Sequence, residues 1–78
     1  MLVAILNHNL PDLTDNLASW VMKDPAVKEL MVVDNGSNMD APAKSTTHKL
    51  EENIFFGGGV NAIFEYFLQT DHDYLYIF

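Results

Sequence analysis

The sequence predicts an α/β fold, a parallel sheet with helices on its faces. Three observations point there. Residues 2–6 and 30–33 are short, continuous apolar runs. Such runs are too short for helices and do not alternate, as expected of strands buried on both faces. Between and after them lie stretches with helical spacing of apolar residues. The second run stops abruptly in Asp34-Asn35-Gly36-Ser37, turn-forming residues at a strand's carboxyl end, which is the edge where open α/β sheets bind ligands.

Taken in order, residues 2–6 form a central strand, followed by Asn7-His8-Asn9. Pro11 suits the first position of a helix, and Asp12 suits its first turn. Leu13, Leu17, Trp20 and Val21 then fall on one helical stripe, and Pro25 ends that helix by the residue before it. With the strand at 30–33 this makes a β-α-β unit, for which a right-handed crossover is expected. Residues 37–45 lack periodicity and read as a loop, residues 46–50 as a short strand, and Glu51-Glu52-Asn53 as a solvated segment. Residues 54–56 are at most a brief strand before Gly57-Gly58-Gly59. Val60, Ile63, Phe64, Phe67 and Leu68 mark a second helix with its aromatics in the core. Asp71-His72-Asp73 makes a solvated turn, and residues 74–78 form a final β-rich run.

Composition narrows the function classes. The 78 residues allow at most one domain, and a hydrophobic fraction of 49% is that of a globular protein. Eleven acidic residues against four basic ones give a net charge of −7, which disfavours binding to nucleic acid. Without Cys there is no disulfide, thiolate metal site or cysteine nucleophile. No segment is long enough to span a membrane, and a cytoplasmic protein is expected. An apolar run at 74–78 and too few elements to cover both sheet faces predict a single incomplete domain over 1–78, or one completed by homo-oligomerisation through an exposed sheet edge.

Several residues have chemistry to offer. Asp34 and Asn35 can hydrogen-bond a base or ribose from the strand end, or simply terminate the strand. The glycines at 57–59 let a backbone approach a ligand, and the amides opening the following helix suit an anion; the same glycines also serve as a linker entering a helix. Gly57 to Ala62 fits the dinucleotide pattern G-x-G-x-x-A, which makes a dinucleotide-binding fragment a third reading. Asn7, His8 and Asn9 lie beside the expected switch point, with Asn9 a ligand contact or a helix N-cap. His8, His48 and His72 lack metal-ligand spacing and read as surface residues.

Val32-Val33-Asp34-Asn35-Gly36-Ser37, followed by Asn53-x-x-Phe56-Gly57-Gly58-Gly59-x-Asn61, resembles the amino-terminal half of a family 2, GT-A-fold glycosyltransferase of the rhamnosyltransferase-like sort. Asn7-His8-Asn9 stands where that family usually has Thr-Tyr-Asn. The resemblance implies a Rossmann-like, three-layer α/β/α half-domain with a mostly parallel sheet in the order 3-2-1-4. It implies binding of a UDP- or dTDP-type nucleotide-diphosphate sugar for transfer, with inversion, to a glycan or other acceptor. Asn7 and Asn9 would lie near base and ribose, Asp34 and Asn35 at the base, and Gly58, Gly59 and Asn61 along the ribose–diphosphate side. The family's Asp-x-Asp motif, which holds Mn²⁺ or Mg²⁺, and its catalytic base follow the strand that here ends at Phe78. This chain alone is therefore expected to bind without catalysing transfer. The alternative is a small, self-associating α/β interaction module.

Overall fold

A computed structural model describes residues 1–38 and 42–78. The chain runs β1 (Leu2–Asn7), α1 (Pro11–Val21), β2 (Glu29–Asn35), β3 (His48–Leu50), α2 (Phe55–Leu68) and β4 (Leu75–Ile77). All four strands are parallel, in the order β3-β2-β1-β4, so this part of the expected architecture stands. Residues 39–41 of the expected loop lie outside the described residues.

Alternation along the two central strands explains their continuous apolar runs. Val3 and Ile5 of β1, with Val32 of β2, face α1 and pack on Ala18 and Val21. Leu2 and Ala4, with Met31 and Val33, face the other way and pack on Ile63 of α2. A helix on each face leaves no solvated side, so every position of both strands is apolar until the ends. Register pairs Ala4 with Met31 and Asn7 with Asp34, which brings the two polar strand ends side by side. Burying Ile63 completely contributes about 1.5–3 kcal/mol.

Both helices differ from the pattern expected of them. α1 starts at Pro11 as anticipated, but its N-cap is Leu10, not Asn9, and it stops at Val21. Its buried face is Thr14, Ala18 and Val21, whereas Leu13 and Trp20 are 63% and 66% exposed. The Thr14 hydroxyl donates to Asn7 Oδ1 at 2.9 Å, which turns that face to the sheet, and Ala18 lets the helix come close. α2 begins at Phe55 rather than Val60, so the glycines lie inside the helix and residues 54–56 do not form the brief strand expected there. Ile63 is its buried anchor with Tyr66 and Phe67 packed beside it, while Phe64 and Leu68 are exposed.

Away from the carboxyl ends, two carboxylates, Asp15 and Glu29, fix the peripheral segments. Asp15 of α1 accepts from the Ser45 amide and hydroxyl at 2.8 and 2.6 Å and from the Lys44 amide at 3.1 Å. These bonds, the Ser45 hydroxyl foremost, hold its carboxyl below the usual range. Glu29 accepts from the Tyr66 hydroxyl and pairs with His72 Nε2 at 2.8 Å. His72 therefore turns inward instead of lying in a solvated turn, although Asp71 and Asp73 on either side are exposed. His48 is half-buried with its ring edge-on to Tyr66, 5.1 Å between centroids. The histidines are structural contacts more than free surface groups.

Candidate functional site

The carboxyl ends of β1 and β2 meet the start of α2 at one edge of the sheet. A single hydrogen-bonded network runs through it, and it uses most of the polar residues singled out above. Asn7 Oδ1 accepts from the Leu10 amide at 3.1 Å as well as from Thr14, and Asn7 Nδ2 donates to Asp34 Oδ1 at 3.2 Å. Asp34 also accepts from the Ser37 amide at 3.3 Å and from the Ser37 hydroxyl. Ser37 Oγ in turn accepts from the Asn9 amide at 2.9 Å. The loop after β1 is thus tied to the loop after β2 through a buried carboxylate.

A second branch reaches α2. His8 Nδ1 donates to the Asn35 carbonyl at 2.9 Å, and its Nε2 lies 3.2 Å from Asn9 Nδ2. These two partners suit a ring with its hydrogen on Nδ1. The Asn35 side chain, buried on the α2 face, accepts from the Ile54 amide and donates to the Phe55 carbonyl, each at 3.0 Å. It clamps the first turn of α2 to the end of β2. Asn9 Oδ1 accepts from the Asn38 amide at 2.6 Å.

Among the described residues, no buried side-chain nitrogen or oxygen lacks a partner. Asn7, Asp34 and Asn35 are each at most 3% exposed, and their side chains are spent on the protein itself. The sequence singles them out correctly as a cluster at one edge. What it does not convey is that their side chains turn inward and position the loops. Thr14 and Ser37 belong to the same network; Thr14 has no signal in the sequence, and Ser37 appears there only as a turn residue at the end of the second strand. Their hydroxyls become informative only once β1 and β2 are paired.

The glycines have structural reasons of their own. A Cβ on Gly59 would fall 2.7 and 2.9 Å from the Leu6 methyls and 3.2 Å from Asn35 Nδ2; its bareness lets α2 lie against β1. A Cβ on Gly58 would meet the Ile54 side chain at 2.9 Å. Asn61 is exposed on α2, one turn beyond Gly57.

Backbone conformation marks the same edge. Among the described residues, positive φ occurs at Asn9 (60°), Phe55 (62°) and Gly36 (63°). One follows β1, one follows β2 and one opens α2. Gly36 is there because the 51–53 segment passes so close that a Cβ would lie 2.2 Å from backbone atoms of Glu52 and Asn53. Phe55 has no such relief. A bulky residue at positive φ stores about 1–3 kcal/mol of strain, and this one is 76% exposed, so core burial does not repay it.

No three His, Asp or Glu side chains converge on a metal position among the described residues, and both Asp34 oxygens are already engaged. These residues do not form a seat for the divalent cation that the resemblance implies. No side chain of the N-cap residue caps α2, but Asn53 Oδ1 accepts from the Phe55 amide at 2.7 Å, which leaves the next amides of the first turn, those of Phe56 and Gly57, for solvent or an anion. No described helix is long and apolar enough to cross a membrane. Comparison with known protein families, with curated proteins and with solved structures finds no match.

Proposed function

We propose that this chain is the nucleotide-sugar-binding portion of a family 2, GT-A-type glycosyltransferase. The observation that carries this reading is the grouping of three positive-φ residues, Asn9, Gly36 and Phe55, at one carboxyl edge, the first two tied by the Asn7–Asp34–Ser37–Asn9 network and Phe55 by the Asn35 side chain. Strained backbone held by an over-determined scaffold is characteristic of binding sites. The strand order 3-2-1-4 supports the reading as well, because β2 and β3 are added on one side of β1 and β4 on the other, and ligands of open α/β sheets sit where the order of addition reverses in this way.

In this reading Asn7, Asp34 and Asn35 are positioning residues. The groups that meet the ligand are those they present: His8, Asn9, Ser37, Asn38 and the opening of α2. Asparagine side chains and loop amides hydrogen-bond a pyrimidine and its ribose. The exposed rings of Phe55 and Phe56 offer a face for the base to stack on, and such stacking is worth about 1–3 kcal/mol per base. First-turn amides of α2, beside Gly58, Gly59 and Asn61, suit the diphosphate, which an acidic chain without a nearby cation must otherwise repel. Sugar transfer itself, with its Mn²⁺ or Mg²⁺, needs groups that the described residues do not supply.

Calorimetric titration with UDP and dTDP tests the proposal. Saturable binding to one of them is expected, weakened several-fold by Asn9→Ala and by Phe56→Ala. Absence of heat for either nucleotide from folded protein at millimolar concentration refutes it.

A further inference from the structure

The two edges of the sheet are built differently. β3 is three residues long, carries the exposed Lys49 and runs into Glu51 and Glu52. Charge of this kind keeps an edge unpaired. β4 is equally short, but it and the residues next to it, Tyr74-Leu75-Tyr76-Ile77-Phe78, contain no Lys, Pro or charge. Its inner side bonds β1 through the Tyr74 and Phe78 backbones, so the outward N–H and C=O groups are those of Leu75 and Ile77. Tyr74, Tyr76 and Phe78 are 73%, 59% and 46% exposed. Tyr76 and Phe78 border an open groove of about 640 Å³ with Trp20, Val3 and Val27.

We propose that this edge is an interface for a second copy of the chain, joined β4 to β4 in antiparallel register about a two-fold axis at Tyr76. The register follows from the outward backbone groups. Leu75 and Ile77 of one protomer bond Ile77 and Leu75 of its partner, which places Tyr76 opposite Tyr76 in a non-hydrogen-bonded pair. The same register puts Tyr74 opposite Phe78 on both sides. Every cross-strand pair is then aromatic or aliphatic, the combination that stabilises sheets, and a self-complementary patch is what a two-fold interface requires.

Charge permits it despite −7 per chain. Asp71 and Asp73 precede the strand, so antiparallel pairing carries the two Asp73 residues to opposite ends, about 20 Å apart at roughly 3.3 Å per residue. That exceeds the screening length of about 8 Å at physiological salt. Lys23 and Asp24 at the groove rim cancel. At roughly 200 Å² per aromatic side chain, the exposed parts of Trp20, Tyr74, Tyr76 and Phe78 amount to about 500 Å² per protomer. Doubled, this meets the floor of about 1,000 Å² for a specific interface, so the dimer is a reversible one. It uses none of the carboxyl-edge residues on which the nucleotide reading rests.

Light scattering behind size exclusion, from 5 to 500 µM as an experimental range of about two decades, reads the association. The mass is expected to rise toward twice 8.8 kDa, and Tyr76→Lys is expected to hold it at the monomer with an unchanged circular-dichroism spectrum. Register is read by cysteine trapping in this cysteine-free chain. Tyr76→Cys places two Cα atoms about 4.5 Å apart, within disulfide reach, and is expected to cross-link at least ten-fold faster than Tyr74→Cys. Equal cross-linking rates overturn the register. A monomer at every concentration overturns the interface and leaves the edge to a strand from another polypeptide.

Discussion

Replacing Asp34 by Ala tests whether this carboxylate holds the site together. Its side chain, 0% exposed, accepts from Asn7 Nδ2 at 3.2 Å, from the Ser37 amide at 3.3 Å and from the Ser37 hydroxyl. Hydrogen bonds to a charged group contribute about 1.5–3 kcal/mol each, and a buried donor left without its partner costs about 1–3 kcal/mol. Ser37 is half-buried and regains water, so the loss is dominated by the Asn7 donor and one charged bond. That gives about 3–4 kcal/mol, a large share of the roughly 5–15 kcal/mol typical of a whole domain. Asp34→Asn keeps an acceptor and is expected to lose about half as much. Urea unfolding followed by circular dichroism is the assay, with an unchanged m-value confirming that only stability moved. An Asp34→Ala variant within about 0.5 kcal/mol of the wild type, the usual range for an uninvolved surface residue, would refute a scaffolding role and return Asp34 to direct ligand contact.

The glycines give a contrast that tests where α2 begins. A Cβ on Gly57 meets nothing within 4 Å, so Gly57→Ala is expected to stabilise the helix by about 0.5–1 kcal/mol, read as a rise of a few degrees in thermal midpoint. Gly36→Ala, at φ 63° and 2.2 Å from backbone, is expected to lose more than about 1 kcal/mol. Glu29 gives a pH signature. Hydrogen bonding from Tyr66, then from His72, lowers its pKa from the usual 4.5. The same contact raises that of Tyr66. A lowered carboxyl pKa contributes stability that is complete above pH 4.5 and lost as pH falls through the folded value. The gap in thermal midpoint between wild type and Glu29→Gln is therefore expected to narrow below that pH, and a constant gap would contradict the contact.

The strands were legible because burial on both faces leaves a mark in one dimension. Residues 2–6 and 30–33 are apolar without alternation, and the structure encloses them between α1 and α2. The rotation of α1 was not legible. Hydropathy favours Leu13 for the core, but the Thr14 hydroxyl finds Asn7 and the helix turns accordingly. The start of α2 was hidden by its three glycines, which resemble a loop until the close approach of Gly59 to Leu6 and the Asn35 clamp on the first turn are seen. The polar cluster at 7–9 and 34–37 was visible as composition at strand ends. Side-chain direction was not, since a one-residue step along a strand decides which face a residue takes, and Asp34 and Asn35 take opposite ones.

The most direct test of the central claim is an amide NMR titration of the folded chain with UDP and dTDP, with and without Mg²⁺ or Mn²⁺. The account predicts shifts clustered at residues 8–9, 36–38 and 55–58, with Asn7, Asp34 and Asn35 following as the scaffold responds and with little dependence on the cation. Perturbations confined to other surfaces, or a spectrum that does not move at all, would contradict it.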